Sequence, residues 1–167
     1  MCTLPTHRHT LRLQTVSKTS VSKQRKVWLT TTTHSPYNSS SSATIIIADD
    51  HELVRGVMRS MLHSEPDLQI IEEAKDGQQA IELTRLHRPD LVLMDVKMPK
   101  GNGVEATRTI KEELPTTKVL ILSAHEDLVF VWDAVRAGAD GYVLKFSLAE
   151  ELVHAIREVL RGESHYP

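Results

Sequence analysis

Short apolar runs alternate with longer helical segments over most of the chain, and this alternation limits the fold more than any other feature. Five runs have the length of strands: Thr44–Ala48, Leu68–Ala74, Leu91–Met94, Val119–Leu122 and Tyr142–Leu144. Four are continuous, which is typical of strands covered on both faces, whereas the second mixes in polar residues as an edge strand does. Five strands that alternate with five helices predict a parallel sheet between two helical layers, a three-layer α/β sandwich.

The helical segments show apolar residues on one side only. In the first, a stripe at helical spacing consists of Leu53, Val54, Val57, Met58, Met61 and Leu62. Further helices are predicted from about Asp127 to Ala137 and from Leu148 to Leu160. Each is expected to pack its apolar side against the sheet.

Composition changes near residue 43. Residues 1–43 contain six Lys and Arg and no Asp or Glu, whereas the remainder carries a formal charge of about −8. This Ser- and Thr-rich leader has no sustained apolar period to offset the entropy of ordering, so we expect it to be disordered. Its origin stays open between sequence added upstream of the native start and an organellar transit peptide. Contact with nucleic acid or an anionic membrane is only weakly indicated, because its charges are scattered.

Cysteine content and hydropathy exclude several classes of protein. The single cysteine, Cys2, lies in the leader and supports neither a disulfide framework nor a zinc cluster. No apolar run approaches the roughly 18 residues that a membrane span requires. We therefore expect a cytoplasmic protein without membrane attachment.

Polar residues follow four of the five runs at the point where each ends. They are Asp49, Asp50, Asp95, Ser123 and Lys145. Ligands of open parallel sheets bind at the carboxyl ends of the strands, so we expect these side chains to converge on one rim.

Three carboxylates at one rim favour a bound cation. Two unit charges about 4 Å apart repel by roughly 4 kcal/mol at an effective dielectric constant near 20. Mg²⁺, which prefers oxygen ligands, would relieve this repulsion. The alternative is that the acids are separate helix N-caps, for which Asp is common. The hydroxyl and the ammonium at the same rim favour a shared site.

The order and spacing of these residues resemble a known signature. The matching stretches are Asp49-Asp50, Asp95-Val96-Lys97-Met98-Pro99 with Gly103, Ser123-Ala124, and Gly141-Tyr142-Val143-Leu144-Lys145. Together they resemble the receiver domain of two-component response regulators, most closely the NarL/FixJ group. The resemblance implies a receiver domain over residues 44–162 and a linker stub over 163–167. It also implies a flavodoxin-like doubly wound sheet with strand order 2-1-3-4-5.

The resemblance assigns phosphoacceptor and metal-binding roles. Asp95 would attack the phosphohistidine of a sensor histidine kinase and become an aspartyl phosphate. Asp50, Asp95 and the backbone carbonyl of Lys97 would ligate Mg²⁺, and Asp49 would act mainly through a coordinated water. Positioning and charge neutralisation are what phosphoryl transfer most needs.

The resemblance also assigns phosphate-binding and switch roles. Lys145 would pair with phosphate oxygens, and the Ser123 hydroxyl would bind one of them. Tyr142 would turn inward when Ser123 is drawn to the phosphate; alternatively, it is a half-buried strand tyrosine with a solvated hydroxyl. The output face would comprise the fourth helix, the last strand and the last helix, on which Trp132 is a partner-contact candidate or part of the core.

The chain departs from the commonest receiver pattern at several positions. Serine replaces threonine at Ser123, and Phe146 stands where many receivers have proline, which puts a cis peptide after Lys145 in doubt. Lys97 and His125 occupy the positions that flank attacking water, or are ordinary solvated side chains.

The implied function is that of a conformational switch that catalyses only its own phosphorylation and dephosphorylation. Regulators of this group normally continue into a DNA-binding domain, and we expect that domain to be absent from these 167 residues. DNA would be reached only through that domain, and homodimerisation is compatible with the resemblance. A free-standing receiver and a phosphorylation-independent binding module are the alternatives. A dehalogenase-type phosphohydrolase is disfavoured, because it needs a second Asp where Lys97 stands, and no P-loop motif is present.

Overall fold

A parallel β-sheet organises the protein, for which a computed structural model describes residues 42–124, 128–147 and 149–167. The strands are β1 (Ala43–Ala48), β2 (Leu68–Ala74), β3 (Leu91–Asp95), β4 (Lys118–Ser123) and β5 (Gly141–Leu144). The helices are α1 (Glu52–Leu62), α2 (Gly77–His87), α3 (Gly103–Glu113), α4 (Leu128–Arg136) and α5 (Ala149–Leu160). The sheet order is β2-β1-β3-β4-β5, with every neighbouring pair parallel, so the predicted flavodoxin-like topology is confirmed.

The sheet separates two apolar cores, because successive strand residues point to opposite faces. On β1, Ile45 and Ile47 pack in the core covered by α1 and α5. Ile46 and Ala48 pack in the core covered by α2, α3 and α4. The central strands are buried on both sides, which explains their continuous apolar runs. The predicted three-layer sandwich is therefore confirmed.

The strand predictions agree with the structure to within one residue at each end. The second run forms β2, and β2 lies at an edge of the sheet, as its polar residues indicated. The predicted leader falls almost wholly on residues 1–41, which lie outside the described residues, as does His125. Among the described helices, none is long and apolar enough to span a bilayer.

The apolar stripe of α1 is only partly covered. Met58 and Leu62 are buried, whereas Leu53 is 80% exposed and Val57 is 47% exposed. At about 100° per residue the stripe covers roughly half of the helix circumference, and Leu53 and Val57 form one margin of it. The sheet covers the other margin. The periodicity thus identified the helix correctly but overestimated the width of its buried face.

Candidate functional site

The predicted site residues meet at the carboxyl edge of the sheet. Asp49 and Asp50 follow β1, Asp95 ends β3, Ser123 ends β4 and Lys145 follows β5. Because these four strands are neighbours in a parallel sheet, their ends come together.

Lys145 lies at the centre of the site. Its Nζ atom is 2.7 Å from Asp49 Oδ2 and 2.7 Å from Asp95 Oδ2. Its backbone N–H donates a 2.8 Å hydrogen bond to the carbonyl oxygen of Ser123, which fixes where the side chain starts. All described peptide bonds are trans, including the one that joins Lys145 to Phe146. One ammonium therefore bridges two carboxylates from different strands.

Asp49 is completely buried. Its Oδ1 atom accepts a 2.9 Å hydrogen bond from the backbone N–H of His51, which closes a turn directly after β1. Its Oδ2 atom is met only by the Lys145 ammonium among the described residues. On the backbone, its carbonyl oxygen accepts a 2.8 Å hydrogen bond from Arg55 of α1. The first helix thus holds the β1 end of the site in place.

Asp95 is also buried, and a glycine allows its position. An added Cβ at Gly103 would lie 1.8 Å from the carbonyl oxygen of Asp95, so no larger residue fits there without backbone movement. The Asp95 Oδ1 atom accepts a 3.3 Å hydrogen bond from the backbone N–H of Lys97. The loop that follows β3 therefore wraps closely around this carboxylate and leads into α3.

Burial shapes the electrostatics of the pair formed by Asp95 and Lys145. Burial raises the pKa of the Asp95 carboxyl above its ordinary value, and the Lys145 ammonium offsets only part of this effect. Burial by itself would lower the pKa of Lys145, but the two carboxylates together raise it above the ordinary value. The site therefore contains a firmly protonated lysine beside a carboxylate whose charge is costly to bury.

The donor atoms suit a divalent cation. One atom from each of Asp49, Asp50, His51 and Asp95 can be chosen so that all lie within 4.8 Å of one another. The buried Oδ2 atom of Asp49 also has too few donors for a carboxylate in the protein interior. Carboxylate oxygens are the ligands that Mg²⁺ prefers. These donor atoms therefore fit a divalent cation such as Mg²⁺.

His51 is the member of this cluster that sequence reasoning missed. Its Nδ1 atom is 2.8 Å from Asp50 Oδ1 and 3.2 Å from Asp49 Oδ1. The available signal was its position directly after the two acids, where a ring nitrogen can reach back to both.

The switch candidates are buried as fully as Asp49 and Asp95. Ser123 is buried at the end of β4, and Tyr142 is 1% exposed within the core shared by α3 and α4. The alternative of a half-buried Tyr142 thus does not match its environment. Trp132 on α4 is 64% exposed, which fits a contact surface better than a part of the core. Lys97 reaches toward the same helix, with Nζ 5.5 Å from the centroid of the Phe130 ring.

A parallel five-stranded sheet with this cluster at its carboxyl edge defines a receiver fold, and comparison with known proteins agrees. A family model described as the response regulator receiver domain matches residues 45–157. The chain therefore belongs to the receiver domain family of response regulators.

Its relatives include proteins named as regulators of transcription or of an oxygen response. It is 41% identical over 121 residues to the transcriptional regulatory protein DegU of Brevibacillus brevis, covering 72% of this chain and 51% of that one. It is 39% identical over 122 residues to the oxygen regulatory protein NreC of Staphylococcus carnosus, covering 72% and 56%. The chain thus spans about half the length of these relatives.

A solved structure shows the same fold. The crystal structure of a LuxR-family two-component response regulator from Aurantimonas sp. SI85-9A1 superposes with a TM-score of 0.72 at 38% identity. The match covers 75% of this chain and 89% of that one.

Proposed function

We propose that this receiver accepts a phosphoryl group on Asp95 from the phosphohistidine of a sensor histidine kinase. An Asp95 carboxylate oxygen attacks phosphorus, the phosphorus–nitrogen bond breaks, and the imidazole leaves with the bonding electron pair and takes up a proton. The product is an aspartyl phosphate. The observation that carries the proposal is the Lys145 ammonium, 2.7 Å from carboxylate oxygens of both Asp49 and Asp95.

Lys145 has the right chemistry for the transferred group. Its raised pKa keeps it cationic, so it can pair with phosphate oxygens once the Asp95 oxygen is esterified. Esterification neutralises the carboxylate of Asp95, and the negative charge of the phosphoryl oxygens would be met by the Lys145 ammonium and a bound cation. Ser123, at the adjacent strand end, would donate its hydroxyl proton to another phosphate oxygen, with Tyr142 behind it in the core as the switch residue.

Mg²⁺ is the proposed cofactor. Asp50, Asp95 and the backbone carbonyl of Lys97 would hold it, with Asp49 acting through a water. Bound there, the ion supplies charge neutralisation to the phosphoryl oxygens. Asp50 suits this role because it is the most exposed carboxylate of the cluster and can exchange water for an ion at low cost.

Self-catalysed phosphorylation gives a direct test. The full chain is incubated with acetyl phosphate and Mg²⁺ and then analysed by intact mass spectrometry. We expect a gain of one phosphoryl group that hydroxylamine removes, because acyl phosphates react with it. Asp95→Asn should gain nothing, whereas Asp133→Asn, on the exposed surface of α4, should react like the native chain.

The alternative role is a protein-binding module that uses the fold without phosphorylation. A folded native chain that stays unmodified at every donor concentration would favour this alternative. Equal labelling of Asp95→Asn and the native chain would show that the acceptor is another residue.

The relatives support a proposal for the cellular role. The names of DegU and NreC state regulation of transcription or of an oxygen response for those proteins. We propose that this chain is the receiver part of such a regulator, that it acts in the cytoplasm, and that DNA is contacted by another domain. A free-standing receiver is the alternative. Homodimerisation would use the face formed by α4, β5 and α5, where Leu128, Val129 and Trp132 are exposed.

A further inference from the structure

The imidazole of His51 lies against the two carboxylates that follow β1. Its Nδ1 atom is 2.8 Å from Asp50 Oδ1 and 3.2 Å from Asp49 Oδ1. The backbone N–H of the same residue is bound to Asp49 Oδ1, so the main chain at this position is fixed. The side chain itself is 66% exposed, and the ring can therefore adjust without disturbing the core.

These distances match the spacing of ligands around one ion. When metal–ligand distances are about 2.1 Å, neighbouring octahedral ligands lie about 3.0 Å apart and opposite ligands about 4.2 Å apart. His51 Nδ1 is therefore at neighbour distance from an oxygen of Asp50, the exposed carboxylate that is proposed to hold the ion directly. The complete set with Asp95 extends to 4.8 Å, slightly more than an opposite pair, and small side-chain movements would close it.

A nitrogen ligand among the carboxylate oxygens changes which metal ions the pocket prefers. Mg²⁺ is bound by oxygen and keeps several waters, so it gains little from an imidazole. Mn²⁺ and especially Co²⁺ bind mixed nitrogen and oxygen sites more tightly, in the Irving–Williams order. A site made only of carboxylates shows this preference more weakly, so an added imidazole should raise the ratio of Co²⁺ to Mg²⁺ affinity.

We propose that His51 supplies a nitrogen ligand that makes the pocket select first-row transition-metal ions, Co²⁺ above Mn²⁺, over Mg²⁺. This inference rests on the proposed function to the extent that it uses the same pocket. Asp50 and His51 form the exposed side of that pocket, and Lys145 neutralises its buried side. His51 thereby determines metal specificity, while the carboxylates determine whether any ion binds.

The competing explanation is that His51 only hydrogen-bonds to the carboxylates through Nδ1–H. Its removal would then change the affinity for every ion by a similar factor, because all of them use the same oxygens. The ratio of the Co²⁺ affinity to the Mg²⁺ affinity therefore distinguishes a direct ligand from a residue that only orients the carboxylates.

The experiment measures Mg²⁺, Mn²⁺ and Co²⁺ affinities of the full chain by isothermal titration calorimetry, with the visible absorption of Co²⁺ as a second readout. His51→Ala removes the ring nitrogen. His63→Ala is the matched control, since His63 is exposed just beyond α1. Residues 1–41 also contain histidines and a cysteine, so only the Co²⁺ binding that Asp50→Asn removes is assigned to the pocket.

In His51→Ala, we expect the Co²⁺ affinity to fall about ten-fold or more, with the Mg²⁺ affinity changed by less than about two-fold. The Co²⁺ absorption should lose the contribution of nitrogen ligation, and His63→Ala should behave like the native chain. An unchanged ratio of Co²⁺ to Mg²⁺ affinity in His51→Ala would overturn the inference while leaving a magnesium site intact. A native chain that binds Co²⁺ through His51 but does not bind Mg²⁺ would support the inference and contradict the proposed cofactor.

Discussion

The backbone N–H of Tyr142 donates a 2.7 Å hydrogen bond to the carbonyl oxygen of His165. Through this contact the segment after α5 pairs with β5 as a short parallel bridge that also includes Gly141. A Cβ added to Gly141 would lie 2.8 Å from the same carbonyl oxygen, so glycine permits the close approach. The chain that leaves the last helix is therefore bonded to the strand that carries the proposed switch residue.

Tyr166 anchors this segment, and its hydroxyl gives the first prediction. The hydroxyl donates a 2.5 Å hydrogen bond to the carbonyl oxygen of Ala139, and burial raises the pKa of Tyr166, so the donor proton is retained. Tyr166→Phe should lower the free energy of unfolding by about 0.5–1.5 kcal/mol. Urea denaturation measures this change, and native-state hydrogen exchange should show faster exchange of the Tyr142 amide. Unchanged exchange would mean that Tyr166 does not hold the segment.

The contact between Gly103 and Asp95 gives the second prediction. Gly103→Ala would place a methyl group 1.8 Å from a backbone oxygen that cannot move without displacing Asp95. We expect a loss of about 2–3 kcal/mol in the free energy of unfolding, as for other overpacked sites, together with slower phosphorylation. Chemical denaturation and intact mass spectrometry measure the two effects.

Gly56→Ala is the control for that substitution. Gly56 lies within α1, and an added Cβ there meets only the end of the Arg59 side chain at 3.7 Å. Replacing a glycine inside a helix by alanine should stabilise the protein by about 0.5–1 kcal/mol. If both substitutions changed the free energy of unfolding in the same direction, the steric argument would be contradicted.

The fold was predictable because the sequence shows both the short apolar runs of buried strands and the helical spacing of apolar residues. Continuous apolar runs identified the four buried strands, and the polar residues of Leu68–Ala74 identified the edge strand β2. The extent of burial on α1 was not predictable, because the periodicity that marks a helix does not reveal how wide a face the sheet covers. Leu53 and Val57 belong to the stripe and yet lie largely in solvent.

The carboxylates and the lysine of the site were predictable, but their pairing and the presence of His51 were not. Placing Asp49, Asp95 and Lys145 at strand ends requires only that parallel strands end on the same edge. Whether one ammonium would bridge both carboxylates depends on side-chain conformations, which sequence spacing does not specify. His51 was missed for a related reason: a histidine after two acids is a ligand only if its ring turns back toward them, and the structure places it so.

Asp50 gives the third prediction, which separates metal binding from structural capping. Its carboxylate is partly exposed, and its ion-pair partner among the described residues is His51. Asp50→Asn should therefore leave the metal-free protein unchanged or up to about 0.5 kcal/mol more stable, because it removes one of several like charges. The Mg²⁺ affinity should fall by about ten-fold or more. Thermal melts with EDTA and with Mg²⁺ measure both effects, and a large destabilisation in EDTA would identify Asp50 as a structural cap.

The raised pKa of Asp95 gives the last prediction, which concerns pH. A carboxyl group whose pKa is higher in the folded than in the unfolded protein binds its proton more readily when folded. Below the ordinary value of 3.8 both states are protonated, and this group has no effect on stability. As the pH rises from 3.8 to the raised pKa, the folded state loses stability relative to the unfolded state. Asp95→Asn lacks the ionisation. Without metal, it should be more stable than the native chain at neutral pH, because Asp49 still pairs with the Lys145 ammonium and no buried cation is left unpaired.

This advantage should shrink as the pH falls toward 3.8, because the native carboxyl then becomes neutral as well. Urea denaturation in EDTA across this pH range measures the difference, with Asp133→Asn as an exposed control that should show no such trend. A stability advantage that grows on acidification would mean that the ionised Asp95 stabilises the fold through Lys145 by more than its burial costs. In that case the lysine would be held chiefly for structure, and esterification of Asp95 would weaken the fold it is proposed to switch.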